Sequence, residues 1–389
     1  MNLIKKWFRE KYRMTVWFDE QKYEGTDFFK KTELANQFSF LKPVFEFSDF
    51  WFSDTQVWQT KTSGSTGAPK LIEISKYQME ASAKASLHFF LLNKDTDGLI
   101  LCLSAAHVGG FMVLVRALIG DLDLWILEPS SKPIPSQSII IKKKKWFVSM
   151  VPLQLEALIE ENGIATSYFK GILLGGAAIS AAHKLQLNPL QCPVNQSYGM
   201  TETVSHIALR KIYEPKKSID FKNEPYILLP GIEIKQNENG CLVVKGAVTN
   251  DIWIQTNDLV KINDDKSFFF LGRIDGIINS GGLKVNPGEL ISHFEILFSR
   301  QELEFQILGI SDQKLGEKVV LAFISNRKSI FHSSQYWVDV IGKLAKQLDP
   351  RILPRAVYGL NQFPKTQTMK YDLPALRSIL KNSKPVWDK

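Results

Sequence analysis

The chain has 389 residues, of which 44% are hydrophobic and 23% charged, with a formal net charge of +8. That length exceeds what a single core usually serves, so two domains are expected, and the balance of apolar and charged residues excludes a largely disordered chain. The positive charge suits anionic ligands, while the dispersed basic residues form no module that would support nucleic acid as a partner.

Residues 1 to about 60 carry Trp7, Phe8, Trp17, Phe28, Phe29, Phe47, Trp51 and Phe52 without recognisable chemistry, and they read as packing. The basic N-terminus has no apolar segment behind it, so it is not read as a signal peptide. Next comes Thr62-Ser63-Gly64-Ser65-Thr66-Gly67-Ala68-Pro69-Lys70. Small hydroxyl side chains beside two glycines leave backbone N–H groups open to a polyphosphate, and Lys70 adds a mobile positive charge. A Walker loop is excluded, because Pro69-Lys70-Leu71 stands where that pattern ends in Gly-Lys-Ser/Thr. Taken alone, such a cluster is more often a solvated loop. A short strand is expected over 71–74. Ser75-Lys76-Tyr77-Gln78 then reads as a capping box opening a helix with Met79, Ala83, Leu87, Phe90 and Leu91 on its apolar positions.

A turn at 95–98 leads into strand 99–103, helix 111–119, strands 122–127 and 146–151, a helix from Pro152 to Asn162-Gly163, and strand 169–174. Strand-length apolar runs alternating with helices predict a parallel sheet covered on both faces, with its crevice at the carboxyl ends of the strands. The most hydrophobic stretch, 98–120, is interrupted by His107 and Arg116 and split by Gly109-Gly110, so it predicts a buried strand and helix rather than a membrane span. The four lysines 142–145 read first as a solvated loop and second as an anion-attracting surface. Gly175-Gly176-Ala177-Ala178 permits either close approach to a flat ring or a tight strand-to-helix turn. From 226 to 271 short strands alternate with turns such as Asn237-Glu238-Asn239-Gly240, which predicts antiparallel sheet. Strand-like 304–310 and 319–324 with a helix over 335–348 predict a compact α+β domain. Cys102, Cys192 and Cys241 are odd in number and widely spaced, which argues against disulfides or a zinc site and predicts a cytoplasmic setting.

Five motifs occur in order: the glycine-rich stretch, Tyr198-Gly199-Met200-Thr201-Glu202-Thr203, Thr256-Asn257-Asp258, Leu271-Gly272-Arg273-Ile274-Asp275-Gly276, and Pro364-Lys365-Thr366 with Lys370. Together they resemble the core motifs of the adenylate-forming superfamily, which includes acyl-CoA synthetases and peptide-synthetase adenylation domains. The resemblance covers roughly residues 60 to 375. It implies an α/β fold with a large N-terminal domain, 1–272, of parallel sheets flanked by helices plus a β-rich subdomain. A hinge at 273–276 and a small mobile α+β C-terminal domain, 277–389, would follow. Most members carry a longer segment before the glycine-rich loop, which leaves open how the first subdomain is completed.

The resemblance also implies ATP, Mg²⁺ and CoA as ligands and a small-molecule carboxylic acid as substrate. Thr62, Ser63, Gly64, Ser65, Thr66, Gly67 and Lys70 match the loop that holds the β- and γ-phosphates. Glu202 matches the Mg²⁺ carboxylate and Thr201 the hydroxyl at the α-phosphate. Gly176 and Ala177 would lie beside adenine, with Tyr198 on its other face and Gly199 next to it, while Asp258 and Arg273 match ribose contacts. Asp275 corresponds to the hinge. Lys370 matches the lysine bridging substrate carboxylate and phosphate, although Met369 replaces the family's usual glycine before it. Gly281, Gly282 and Lys284 resemble the loop at the CoA channel, or else a glycine hairpin with a solvent-facing lysine. His107 and Ser197 match acyl-pocket positions. The run 197–209 is most similar to the o-succinylbenzoate-CoA ligases of menaquinone biosynthesis. Other acyl- or aryl-CoA synthetases, a carrier-protein-loading enzyme and a silent nucleotide-binding homologue are the alternatives. Oligomeric state is not readable.

Overall fold

The computed structural model describes residues 12–61, 70–134, 144–160, 164–176, 187–217, 224–298, 303–324, 330–365 and 371–389. Strands β1 (Thr15–Phe18) and β2 (Gln21–Glu24) form a hairpin whose two turn residues, Asp19 and Glu20, take positive φ, as a two-residue hairpin loop requires. The aromatic front of the chain is packing, as its composition suggests. Helix α1 (Lys42–Phe52) buries Phe45, Phe47, Phe50 and Trp51, and the ring of Phe47 stacks on that of Phe111 at 5.0 Å. Trp7 and Phe8 lie outside the described residues.

Strands β3 (Val57–Lys61) and β4 (Leu71–Ser75) pair antiparallel on either side of the glycine-rich stretch, with Lys61 opposite Leu71. Helix α2 (Lys76–Phe89) follows without a gap. Its capping box is present in both directions: Gln78 N–H donates to Ser75 Oγ at 3.2 Å, and Ser75 N–H donates to Gln78 Oε1 at 2.9 Å. The helix stops before two of its expected apolar positions. Leu91 takes φ +50° and is 74% exposed, so Phe90 ends the helix instead of extending it.

The strands continue as β5 (Asp97–Leu101), β6 (Asp123–Ile126), β7 (Lys145–Met150), β8 (Phe169–Leu174), β9 (Val194–Gly199), β10 (His206–Tyr213) and β11 (Tyr226–Leu228). They are followed by β12 (Glu233–Gln236), β13 (Cys241–Lys245), β14 (Ile254–Asp264) and β15 (Ser267–Arg273). Helix α3 (Val108–Gly120) connects β5 to β6, and α4 (Pro152–Glu160) lies between β7 and β8. All of these strands except β3 and β4 belong to one 13-stranded sheet, ordered β12-β13-β14-β15-β11-β10-β9-β8-β7-β5-β6-β1-β2. Parallel pairing runs from β1 to β9, and everything beyond β9 is antiparallel. The expected parallel layer and β-rich subdomain are therefore one hydrogen-bonded surface, because β10 folds straight back along β9 with Ala208 opposite Tyr198. The parallel strands are buried on both faces. Leu173 points into the core shared with α2 and α3, and its neighbour Leu174 into the core under α4 with Trp146, Met150 and Leu155.

Strands β16 (Ile278–Ser280), β17 (Leu283–Val285), β18 (Glu304–Asp312), β19 (Gly316–Ile324), β20 (Ala356–Leu360) and β21 (Trp387–Asp388) form a separate six-stranded sheet. Helices α5 (Pro287–Phe298) and α6 (Ser334–Leu344) cover one face through Phe294, Phe298 and Trp337, and α7 (Leu373–Lys381) covers the other through Leu376 and Leu380. Among the described residues, no helix is long and apolar enough to cross a membrane.

Candidate active site

The chain leaves β8 at its carboxyl end through Gly175 and Gly176. Gly175 N–H donates to Met150 O at 3.0 Å, and a Cβ at Gly175 would lie 3.2 Å from Ser197 Oγ, which itself donates to Leu174 O at 3.0 Å. Gly176 takes φ +86°, a region costly for any side chain. The first glycine is therefore fitted closely against Ser197 and the second turns the chain at the end of β8. Ala177 lies outside the described residues.

Beside this floor, Tyr198 on β9 meets Asp258 on β14. The phenol donates to Asp258 Oδ2 at 2.5 Å, within an aromatic wall of Tyr226, Phe268 and Phe270. Burial pushes the Tyr198 phenol up, and the Asp258 carboxylate raises it further, so the phenol remains the donor. Burial also raises Asp258, against the lowering effects of Tyr198 and Arg273. Arg273 stands opposite Asp258 in the β14–β15 ladder, its Nη1 3.6 Å from Asp258 Oδ1. Its fork is taken by Asp275, through Nε to Oδ1 at 2.9 Å and Nη2 to Oδ2 at 2.6 Å, which holds the Asp275 carboxyl below its ordinary value. The outer oxygen of a buried carboxylate backed by a phenol can accept from vicinal hydroxyls.

Between β9 and β10 the chain makes a tight turn that presents Thr201 and Glu202. A Cβ at Gly199 would lie 2.1 Å from Ser205 O, so only glycine fits where the turn closes. Thr203 Oγ1 accepts from Met200 N–H at 3.1 Å and sits 2.9 Å from Ser205 O. Buried Val204 takes φ +65°, a strained conformation for a β-branched residue. Glu202 is exposed at the tip, and Thr201 is half-buried.

A second polar cluster lies on the α2–α3 face of the sheet. His107 is exposed at the N-cap position of α3, and Gly110, whose Cβ would lie 2.2 Å from Ser104 O, lets the helix start against the preceding loop. Further along the same helix Arg116 is 2% exposed. Its Nη2 donates to Ser149 Oγ at 3.2 Å, whereas Nε and Nη1 have no acceptor among the described residues. Burial pulls the guanidinium down to about 10. His206, the first residue of β10, lies near it, with Nε2 3.2 Å from Ser86 Oγ and Nδ1 3.2 Å from Ser205 Oγ. Burial and then the charge of Arg116 push this imidazole down to about 3, so it is neutral. A cavity of about 50 Å³ adjoins it, lined by Ser82, Ala85, Leu229 and Val248 among others. Neither Arg116 nor His206 was among the expected site residues. The available signal was a lone arginine inside the most apolar stretch of the chain.

Residues 62–67 and Lys370 lie outside the described residues, and Lys70 is exposed just before β4. Gly281 and Gly282 take positive φ as the two-residue turn of the β16–β17 hairpin, with Lys284 exposed beyond it; none of the three touches the clusters above through a described hydrogen bond. Tyr371, the neighbour of Lys370, bridges to Lys365 and donates to Glu304 Oε1 at 2.7 Å. Burial and Glu304 raise its phenol, with a further contribution from the charge of Glu156 on α4, so Tyr371 lies within electrostatic reach of the large sheet's helix.

The AMP-binding enzyme family profile matches residues 60–253. An acyl-CoA synthetase (AMP-forming)/AMP-acid ligase II-like protein from Dyadobacter fermentans is 33% identical, with a TM-score of 0.55 over 88% of this chain and 95% of that one. A 2-succinylbenzoate–CoA ligase from Bacillus cytotoxicus is 29% identical over 345 residues, which is 82% of this chain and 69% of the relative. The o-succinylbenzoate CoA synthetase of Bacillus subtilis, solved with its acyl-adenylate intermediate, shares the fold with a TM-score of 0.67 at 22% identity, covering 84% of this chain and 69% of that one.

Proposed function

We propose, for a chain that belongs to the AMP-binding enzyme family, an ATP-dependent acid–CoA ligase acting on o-succinylbenzoate. The relatives named for this acid support the choice, and the observation that carries it is Arg116. A buried cation whose Nε and Nη1 find no acceptor among the described residues costs several kcal/mol unless an anion arrives to pair with it. An acid with two carboxylates supplies that anion: one carboxylate is activated near Thr201, and the other pairs with Arg116 beside neutral His206.

In the first half-reaction a carboxylate oxygen attacks the α-phosphorus of ATP and the bond to pyrophosphate breaks. In the second, the thiol of CoA attacks the acyl carbon, AMP leaves, and the thiol proton passes to solvent. Both reactants of the first step are anionic, so charge must be neutralised while the atoms are held in line. Asp258 is assigned to the ribose hydroxyls, the Gly175–Gly176 floor and Tyr198 to the adenine, Thr201 to the α-phosphate, and Lys70 with the glycine-rich stretch to the outer phosphates. Lys370 is assigned to the bridge between carboxylate and phosphate. A single exposed carboxylate, Glu202, fits magnesium, which typically uses one or two carboxylates plus substrate phosphates and water. When bound, the ion would offset phosphate charge. Residues 273–276, which include the turn Ile274–Gly276, are assigned as the hinge between a large domain, 1–272, and a small one, 277–389, with Gly281, Gly282 and Lys284 on the CoA side. The three cysteines are free and buried, in keeping with a cytoplasmic enzyme.

The test is AMP release with ATP, Mg²⁺ and CoA against a panel of acids. o-Succinylbenzoate is expected to be turned over, and its analogue lacking the second carboxylate to lose at least about a hundredfold in kcat/KM. Turnover of a monocarboxylic acid in preference to o-succinylbenzoate would reject the substrate and keep the class. No AMP with any acid would reject both.

A further inference from the structure

We propose that Asn286 is a positioning residue that holds the second sheet in the orientation used for adenylate formation, and that its bond across the junction is released for thioester formation. The proposal rests on the two-step ligase reading above.

Asn286 lies between β17 and α5, and its amide makes two bonds of different kinds. Oδ1 accepts from Gly288 N–H at 2.9 Å, which caps the first turn of α5. Nδ2 donates to Leu271 O at 3.1 Å, which belongs to β15 of the large sheet. A cap needs only the first bond. Leu271 precedes the turn Ile274–Gly276 and Asn286 follows it, so the side chain spans the assigned hinge.

Two glycines are fitted to this contact. A Cβ at Gly288 would lie 2.2 Å from Leu271 O, and a Cβ at Gly272 would lie 2.8 Å from Asn286 Oδ1. Gly272 also takes φ +140°, a conformation that other residues rarely adopt. At Gly288 the backbones meet at a distance that no side chain would permit, and at Gly272 a side chain would press on the Asn286 amide itself. In this same orientation the charge of Glu156 on α4 is felt at Tyr371, the residue next to Lys370. Any rotation about residues 274–276 leaves Leu271 behind and carries Asn286 away, so the bond can exist in only one of the two arrangements.

Asn286→Asp and Asn286→Ala separate the two roles. Aspartate still accepts from Gly288 N–H but sets a carboxylate against Leu271 O, whereas alanine removes both bonds. Pyrophosphate exchange reads adenylate formation, and CoA-dependent consumption of preformed acyl-adenylate reads the second step. Spin labels at Glu238→Cys and Lys381→Cys read the orientation directly. Both variants are expected to lower pyrophosphate exchange about five- to tenfold, the scale of one lost hydrogen bond, while thioester formation stays within about twofold. The label distances should gain a second population, and the aspartate variant should keep the wild-type Tm. Equal losses in both steps, or an unchanged ratio between them, would overturn the proposal. If the wild type exchanges pyrophosphate with no acid, the ligase reading fails on its own. The label distances then decide, and a single unchanged population in both variants removes the latch.

Discussion

Arg116, on helix α3 over the parallel half of the large sheet, and Arg273, at the end of β15 in the antiparallel half, are in opposite electrostatic situations. Arg273, in the antiparallel half, is partly exposed and fully engaged: Asp275 takes its fork at 2.6 and 2.9 Å, and Asp258 lies 3.6 Å away with Tyr198 behind it. Arg116, on α3, is buried with one hydrogen bond among the described residues, to Ser149, and a neutral histidine for company. The first cluster is satisfied by the fold itself. The second has desolvated a charge that the described residues answer only through Ser149, and the proposed substrate carboxylate would supply the missing partner.

The sharpest way to break this comparison is Arg116→Met. It should lower kcat/KM for o-succinylbenzoate by about a thousandfold, the loss expected when a buried charge pair can no longer form. The same variant should hold or raise the unfolding free energy, since an apolar side chain needs no desolvation there. Steady-state kinetics and thermal denaturation together decide it, and retained activity would mean the cluster is complete without substrate. Asp258→Asn probes the satisfied side. Losing a charge-assisted acceptor should weaken AMP binding about ten- to a hundredfold by calorimetry, while Arg273 stays held by Asp275.

The pH dependence of stability separates the halves again. His206 titrates at about 3 in the folded chain against about 6.5 when unfolded. Between these values the unfolded chain binds the extra proton, so stability should fall as pH drops from about 6.5 toward 3, approaching about 1.4 kcal/mol per pH unit. His206→Gln should flatten that slope, giving about 2 kcal/mol less difference between pH 7 and pH 5 in urea denaturation. The smallest effect belongs to Ser75→Ala. Loss of the capping box should cost about 1 kcal/mol by thermal melting and leave the ratio of the two half-reactions unchanged.

Legibility followed sequence separation. The capping box at Ser75 and Gln78 and the apolar strands around Trp146 and Leu173 were readable because their determinants lie within a few residues. β1 was not, since Val16 finds its parallel partner only at Leu124, and β10 was hidden inside a motif whose residues also had chemistry to explain. Among site residues, Tyr198 and Asp258 were named for separate contacts, and nothing local told that one would donate to the other. Arg116 was visible as an interruption of an apolar run, but Ser149 and His206, which define its surroundings, come from strands β7 and β10.

The sequence by itself determined the family, the order of the motifs and the alternation of strands and helices, because each depends on residue types at short, fixed spacings. Tertiary structure alone decided that the parallel and antiparallel parts form one sheet, that one arginine is paired and the other is not, and that Asn286 reaches back to Leu271. Those outcomes depend on which distant groups share a buried space, and the cost of an unanswered charge or a bridged backbone exists only once water has been removed from it.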